Sequence, residues 1–126
     1  MTAPEILENL REDAIVLADA RAGERFSGEV EPIDRVAGHI PGAVNYPYHL
    51  NLTDDGRFKP AEDIRAGLLP LIGNRPVRDL VHMCGSGVTA CHNILAAELA
   101  GLSGSRLYVG SWSEWIQDSS RPISPM

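Results

Sequence analysis

The stretch Asp79-Leu80-Val81-His82-Met83-Cys84-Gly85-Ser86-Gly87-Val88-Thr89-Ala90 decides the fold. Residues 79–83 form an apolar run of the kind that suits a strand buried on both faces, as in a parallel sheet. Cys84 ends that run and a loop of small residues follows. Residues 90–100 then read as a helix, with Ile94, Leu95 and Leu99 on one side and Gly101 as the stop. Strand, tight loop and helix in this order form one half of a βαβ unit.

The flanking sequence repeats the alternation. Ala14-Ile15-Val16-Leu17-Ala18 is another continuous apolar run, with Asp19-Ala20-Arg21 at its C-terminal end. Ala43-Val44-Asn45 predicts a very short strand and Arg106-Leu107-Tyr108-Val109 a clearer one. Thr2-Ala3-Pro4-Glu5 has the spacing of a capping box, and Ile6, Leu7 and Leu10 recur at helical period, so residues 3–12 read as a helix. Residues 60–69 read as another, opened by Pro60, and residues 111–117 as a short one. Residues 22–42 read as loop with one helical turn. The tail, residues 119–126, holds two prolines and few apolar groups and is expected to fray. The prediction is an α/β fold with a parallel sheet in one domain spanning residues 1–126.

Composition narrows the function. The 126 residues carry 17 Asp and Glu against 11 Lys and Arg, a formal charge of −6. That disfavours nucleic acid, whose binding needs basic surface. Ten of the eleven basic residues are Arg, the better group for gripping a small oxyanion. No apolar run approaches the length of a membrane span, and the start lacks the regions of a signal peptide. The cytoplasm is the default expectation.

The join at Cys84 carries the chemistry. Ligands of α/β proteins bind at the carboxyl ends of parallel strands. Gly85 and Gly87 let the loop backbone curl with its N–H groups inward. Those donors and the start of the next helix would stabilise a thiolate or a bound anion. A thiol held there is expected to ionise readily and act as a nucleophile. The plain alternative is a buried cysteine at a strand end. A cysteine phosphatase or arsenate reductase would need an Arg six positions after the cysteine, to clamp its oxyanion. That position is Ala90.

Five segments together resemble the rhodanese sulfurtransferases, in particular the C-terminal catalytic half of the two-domain enzymes. They are Asp19-Ala20-Arg21, Glu24-Arg25-Phe26, Gly38-His39-Ile40-Pro41-Gly42-Ala43, the loop from Cys84 to Ala90, and Gly110-Ser111-Trp112-Ser113-Glu114-Trp115. The resemblance implies a rhodanese-like fold, with a five-stranded parallel sheet and helices on both faces. It implies that Cys84 takes sulfane sulfur from thiosulfate or 3-mercaptopyruvate, becomes a persulfide, and passes the sulfur to cyanide or a thiol. No cofactor or metal is needed for that cycle.

By the same resemblance Gly85, Ser86, Gly87, Val88 and Thr89 cradle the donor anion, and Arg25 binds its carboxylate or sulfonate. Uncharged Gly85 and Ser86 resemble the mercaptopyruvate-using branch. Arg35 lies where that branch often carries a second Arg, at a shorter spacing. In the two-domain enzymes an inactive half covers the site. Weak donor binding is therefore expected unless a second domain or a dimer partner covers the loop. A rival reading keeps the fold as a binding or regulatory module with little turnover.

Other residues have plainer readings. Asp19 and Arg21 are expected to fix the loop after the first strand, and His39 to hold its turn. His82 should project on the same side of its strand as Cys84 and find a hydrogen-bond partner. Zinc on His82, Cys84, Cys91 and His92 has the wrong spacing. Trp112 and Trp115, three apart, are expected in the core, and the acidic excess on the solvated surface.

Overall fold

The computed structural model describes residues 1–85 and 88–124, with the backbone alone for Val88. Helix α1 (Ala3–Arg11) opens on the expected capping box. The Thr2 side chain accepts the Glu5 N–H, and the Glu5 carboxylate accepts the Thr2 N–H at 2.9 Å. Strand β1 (Val16–Asp19), helix α2 (Gly23–Ser27), strand β2 (Val44–Asn45) and helix α3 (Ala61–Ile72) follow. Strand β3 (Leu80–Met83), helix α4 (Val88–Leu99), strand β4 (Arg106–Leu107) and helix α5 (Ser111–Trp115) complete the order.

The described residues form one parallel sheet of four strands in the order β2-β1-β3-β4. The α/β architecture is as expected, but the strand count is four where the resemblance implied five. Four is also the number of strand-like apolar stretches in the sequence. The segment at His39 makes only an isolated antiparallel bridge, to Ser124, and joins no ladder.

Alternate side chains of the central strands feed two cores. Leu17, Val81 and Met83 pack with Ile6 of α1 and with Trp112 and Trp115 of α5. Ala18 and Leu80 pack with Ile64, Leu68 and Ile72 of α3, with Ala96 and Ala97 of α4 and with Ala100 just beyond it. Helices therefore cover both faces, as apolar runs on parallel strands require.

Three expectations need correction. Leu95 and Leu99 do not face the core: each is 50% exposed. The buried side of α4 is Ala90, Asn93, Ala96 and Ala97, small groups that bring the helix close to the sheet. The tail does not fray as far as Ser124. His39 and Ser124 exchange backbone hydrogen bonds at 2.5 and 2.9 Å, and the Trp115 indole N–H donates to the Pro122 carbonyl at 2.8 Å. Gly38 makes room for this, since a Cβ there would lie 2.7 Å from the Ser124 carbonyl oxygen. Finally, His82 is fully buried with neither ring nitrogen hydrogen-bonded among the described residues.

Candidate active site

The strand order reverses between β1 and β3, since β1 has β2 on its other side. Such a switch point opens a crevice at the carboxyl ends of the strands. Asp19 of β1 pairs in register with Met83 of β3, and the Ala20 N–H donates to the Met83 carbonyl at 2.8 Å. The first residue beyond β3 is Cys84, 1% exposed, so the topology delivers the cysteine to that crevice.

The start of α5 holds the backbone of Cys84 and Gly85. The Cys84 N–H donates to the Ser111 hydroxyl at 3.1 Å, and that hydroxyl donates to the Tyr108 carbonyl at 2.9 Å. The Trp112 N–H donates to the Cys84 carbonyl at 3.0 Å and the Ser113 N–H to the Gly85 carbonyl at 2.8 Å. Ser111 is fully buried with φ +57°, a conformation that costs a non-glycine residue about 1–2 kcal/mol.

A cavity of about 130 Å³ adjoins the loop, lined by Arg25, Ile33, Asp34, Gly85, Thr89 and Ser113. Arg25 and Gly85 thus share one cavity wall. Its Nη2 is 3.3 Å from the point a Gly85 Cβ would occupy, so the missing side chain admits the guanidinium. Thr89, in the first turn of α4, also lines the cavity. Ser86 and Gly87 lie outside the described residues, as does the Val88 side chain. Arg35 is turned elsewhere. Its Nη2 donates to the Ile116 carbonyl at 2.9 Å, at the C-terminal cap of α5.

Two acidic residues that sequence reasoning left on the surface sit against Arg25. Its Nη2 meets Glu31 Oε2 at 3.0 Å and Asp34 Oδ2 at 3.4 Å, and the two carboxylates are only 5% and 12% exposed. Glu31 also accepts the N–H groups of Ile33 and Asp34. Despite its burial, those N–H groups and Arg25 hold the Glu31 carboxyl below its ordinary range. The only sequence signal for this cluster was the density of acids within ten residues of Arg25.

Behind it, Arg21 and Asp19 form a buried pair at 2.8 Å, as befits a loop anchor. Arg21 also donates to the Gly38 carbonyl at 2.7 Å and lies over the Trp112 ring. His39 stacks on Phe26, and its Nδ1 is 2.6 Å from the Phe26 carbonyl. A carbonyl can only accept, so Nδ1 carries the proton. His39 is therefore turned into the α2 segment as a staple.

Cys84 and Cys91 are not joined in a disulfide, and Cys91 is exposed on α4. Among the described residues no group of three His, Cys, Asp or Glu side chains could hold a metal ion, and no helix is long and apolar enough to cross a membrane.

A parallel α/β sheet with a cysteine at the mouth of its switch point, next in sequence to the glycine that shares a cavity with an arginine, defines a class of proteins. The chain belongs to the rhodanese-like domain family, which it matches over residues 2–118. A probable 3-mercaptopyruvate sulfurtransferase of Pseudomonas aeruginosa is 53% identical over 122 residues, covering 97% of this chain and 43% of that protein. The thiosulfate sulfurtransferase of Rattus norvegicus is 40% identical over 122 residues, covering 92% and 40%. The solved 3-mercaptopyruvate sulfurtransferase from Leishmania major superposes with a TM-score of 0.74 at 38% identity, covering 86% of this chain and 31% of that one. The chain therefore spans about two fifths of the length of the curated relatives.

Proposed function

We propose that this domain transfers sulfane sulfur through a persulfide on Cys84. The observation that carries the reading is the placement of Cys84 at the switch point beside the Arg25 cavity. Arg25 takes the carboxylate of 3-mercaptopyruvate or the sulfonate end of thiosulfate, and Thr89 and Gly85 form the cavity wall beside it. The loop residues Ser86, Gly87 and Val88 complete the cradle in this reading.

With 3-mercaptopyruvate, the Cys84 thiolate attacks the donor sulfur and a sulfur–sulfur bond forms. The sulfur–carbon bond breaks and its electron pair stays on carbon. The donor's thiol proton ends on that carbon, leaving pyruvate and a Cys84 persulfide anion. With thiosulfate, the same attack expels sulfite. Cyanide or a thiol then takes the outer sulfur and returns the Cys84 thiolate. Every charge is conserved with no external oxidant.

Ile33, at the rim of the cavity, is 76% exposed. This supports the reading that a second rhodanese domain or a dimer partner covers the site, as does the span of the relatives. The rival reading, a binding module with little turnover, draws on the carboxylates that already occupy Arg25.

Intact mass decides between them. Reduced protein mixed with either donor should gain about 32 Da, the mass of one sulfur. The adduct should vanish on adding cyanide, be absent in Cys84→Ser and persist in Cys91→Ser. A folded protein that gains no mass from either donor is a binding module.

A further inference from the structure

The geometry points to Asp34 as a specificity-determining residue of the donor cavity, whose carboxylate selects singly charged donors over doubly charged ones. The inference rests on the sulfur-transfer reading and deepens it.

Four residues close a ring around the cavity mouth. The Gly85 carbonyl accepts the Ser113 N–H at 2.8 Å, and the Ser113 hydroxyl donates to Asp34 Oδ1 at 2.9 Å. Asp34 Oδ2 faces Arg25 Nη2 at 3.4 Å, and that Nη2 lies 3.3 Å from the point a Gly85 Cβ would occupy. Asp34 is thus pinned to the active loop through Ser113 and lines the same cavity as Arg25. Its side chain is 12% exposed, so water screens its charge poorly.

Charge in this corner does not favour a dianion. Arg21 and Arg25 are outweighed by Asp19, Glu31 and Asp34 in one connected cluster, which carries a net negative charge. The N-terminus of α4 attracts any anion, but the Asp34 carboxylate repels a donor in proportion to the donor's charge. Thiosulfate carries two negative charges and 3-mercaptopyruvate one. The repulsive energy doubles, so the penalty on the rate is squared. Two features give the same preference: Gly85 and Ser86 offer no positive charge, and Asp34 supplies a negative one.

The test is kcat/KM of the purified protein for both donors, with cyanide as acceptor, in wild type, Asp34→Asn and Asp34→Ser. Asn keeps an acceptor for the Ser113 hydroxyl while removing the charge. Wild type should prefer 3-mercaptopyruvate. If Asn raises its kcat/KM about threefold, that for thiosulfate should rise about ninefold. The donor preference should then fall about threefold, and Ser should move it the same way.

A preference that stays fixed or sharpens overturns the inference. Sharpening would show that Asp34 only positions Arg25, since misplacing Arg25 harms the dianion more. Should neither variant fold, the wild-type preference decides, and equal or better use of thiosulfate overturns the inference. If wild type transfers no sulfur from either donor, the sulfur-transfer reading fails first. Transfer with an unmoved preference sinks the Asp34 inference alone.

Discussion

The hydroxyl of Ser111 accepts the backbone N–H of Cys84 at 3.1 Å across 27 residues of sequence, while its own backbone sits at φ +57°. A strained residue stands where glycine would be relaxed, and its side chain anchors the peptide of Cys84. Ser111→Ala should cost about 1–3 kcal/mol, since it strands a buried N–H and keeps the strain. Ser111→Gly also loses the hydroxyl but relieves the strain, so it should be the more stable variant by about 1 kcal/mol. Urea denaturation of both checks the order. Sulfur transfer should fall in both, because each frees the Cys84 backbone.

Arg25 presents a planar fork to the cavity, already braced by Glu31 and Asp34. Arg25→Lys keeps the charge and loses the fork. The KM for 3-mercaptopyruvate should rise about tenfold or more, equivalent to about 1.5–3 kcal/mol, with a smaller change in kcat. Steady-state kinetics will show it. An unchanged KM would remove Arg25 from donor binding.

Burial lowers the pKa of His82 to about 4, against an ordinary value of 6.5. The unfolded chain therefore binds a proton that the folded one refuses between those values. Stability should be full above pH 6.5 and fall as the pH drops toward 4, by about 2 kcal/mol between pH 7.5 and 5 from this group. His82→Leu fills the site with an apolar group and should flatten that part of the profile. Denaturant midpoints measured from pH 7.5 to 5 in both proteins make the comparison. An equal slope in the variant would assign the pH dependence to other groups.

Gly110 precedes α5 with an ordinary helical backbone, so its role is steric. A Cβ there would lie 2.4 Å from Glu114 Cδ and 2.7 Å from Glu114 Cβ. That carboxylate accepts the Tyr108 hydroxyl at 2.8 Å; burial foremost, and then this hydrogen bond, push the phenol's pKa well up. Gly110→Ala should destabilise by about 1–3 kcal/mol. It should also bring the Tyr108 titration down, which ultraviolet absorbance between pH 9 and 12 would follow.

The sequence alone determined what short-range physics encodes. The capping box at Thr2, the apolar run before Cys84 and the glycines beside it act over four or five residues, so their effects can be read from spacing. Arg25 was found through the order of five motifs, which is information about a family rather than a local rule. Tertiary structure decided the charge state of the site. Glu31 and Asp34 look like surface acids until the chain folds Arg25 against them, and Ser113 reaches Asp34 across 79 residues. The same holds for α4, whose leucines predicted its inner face. The close approach of helix and sheet instead selected the alanines and left Leu95 and Leu99 in solvent. Periodicity states that a helix has two faces. Only the distance to the neighbouring layer decides which face goes in, and which charges meet at the strand ends.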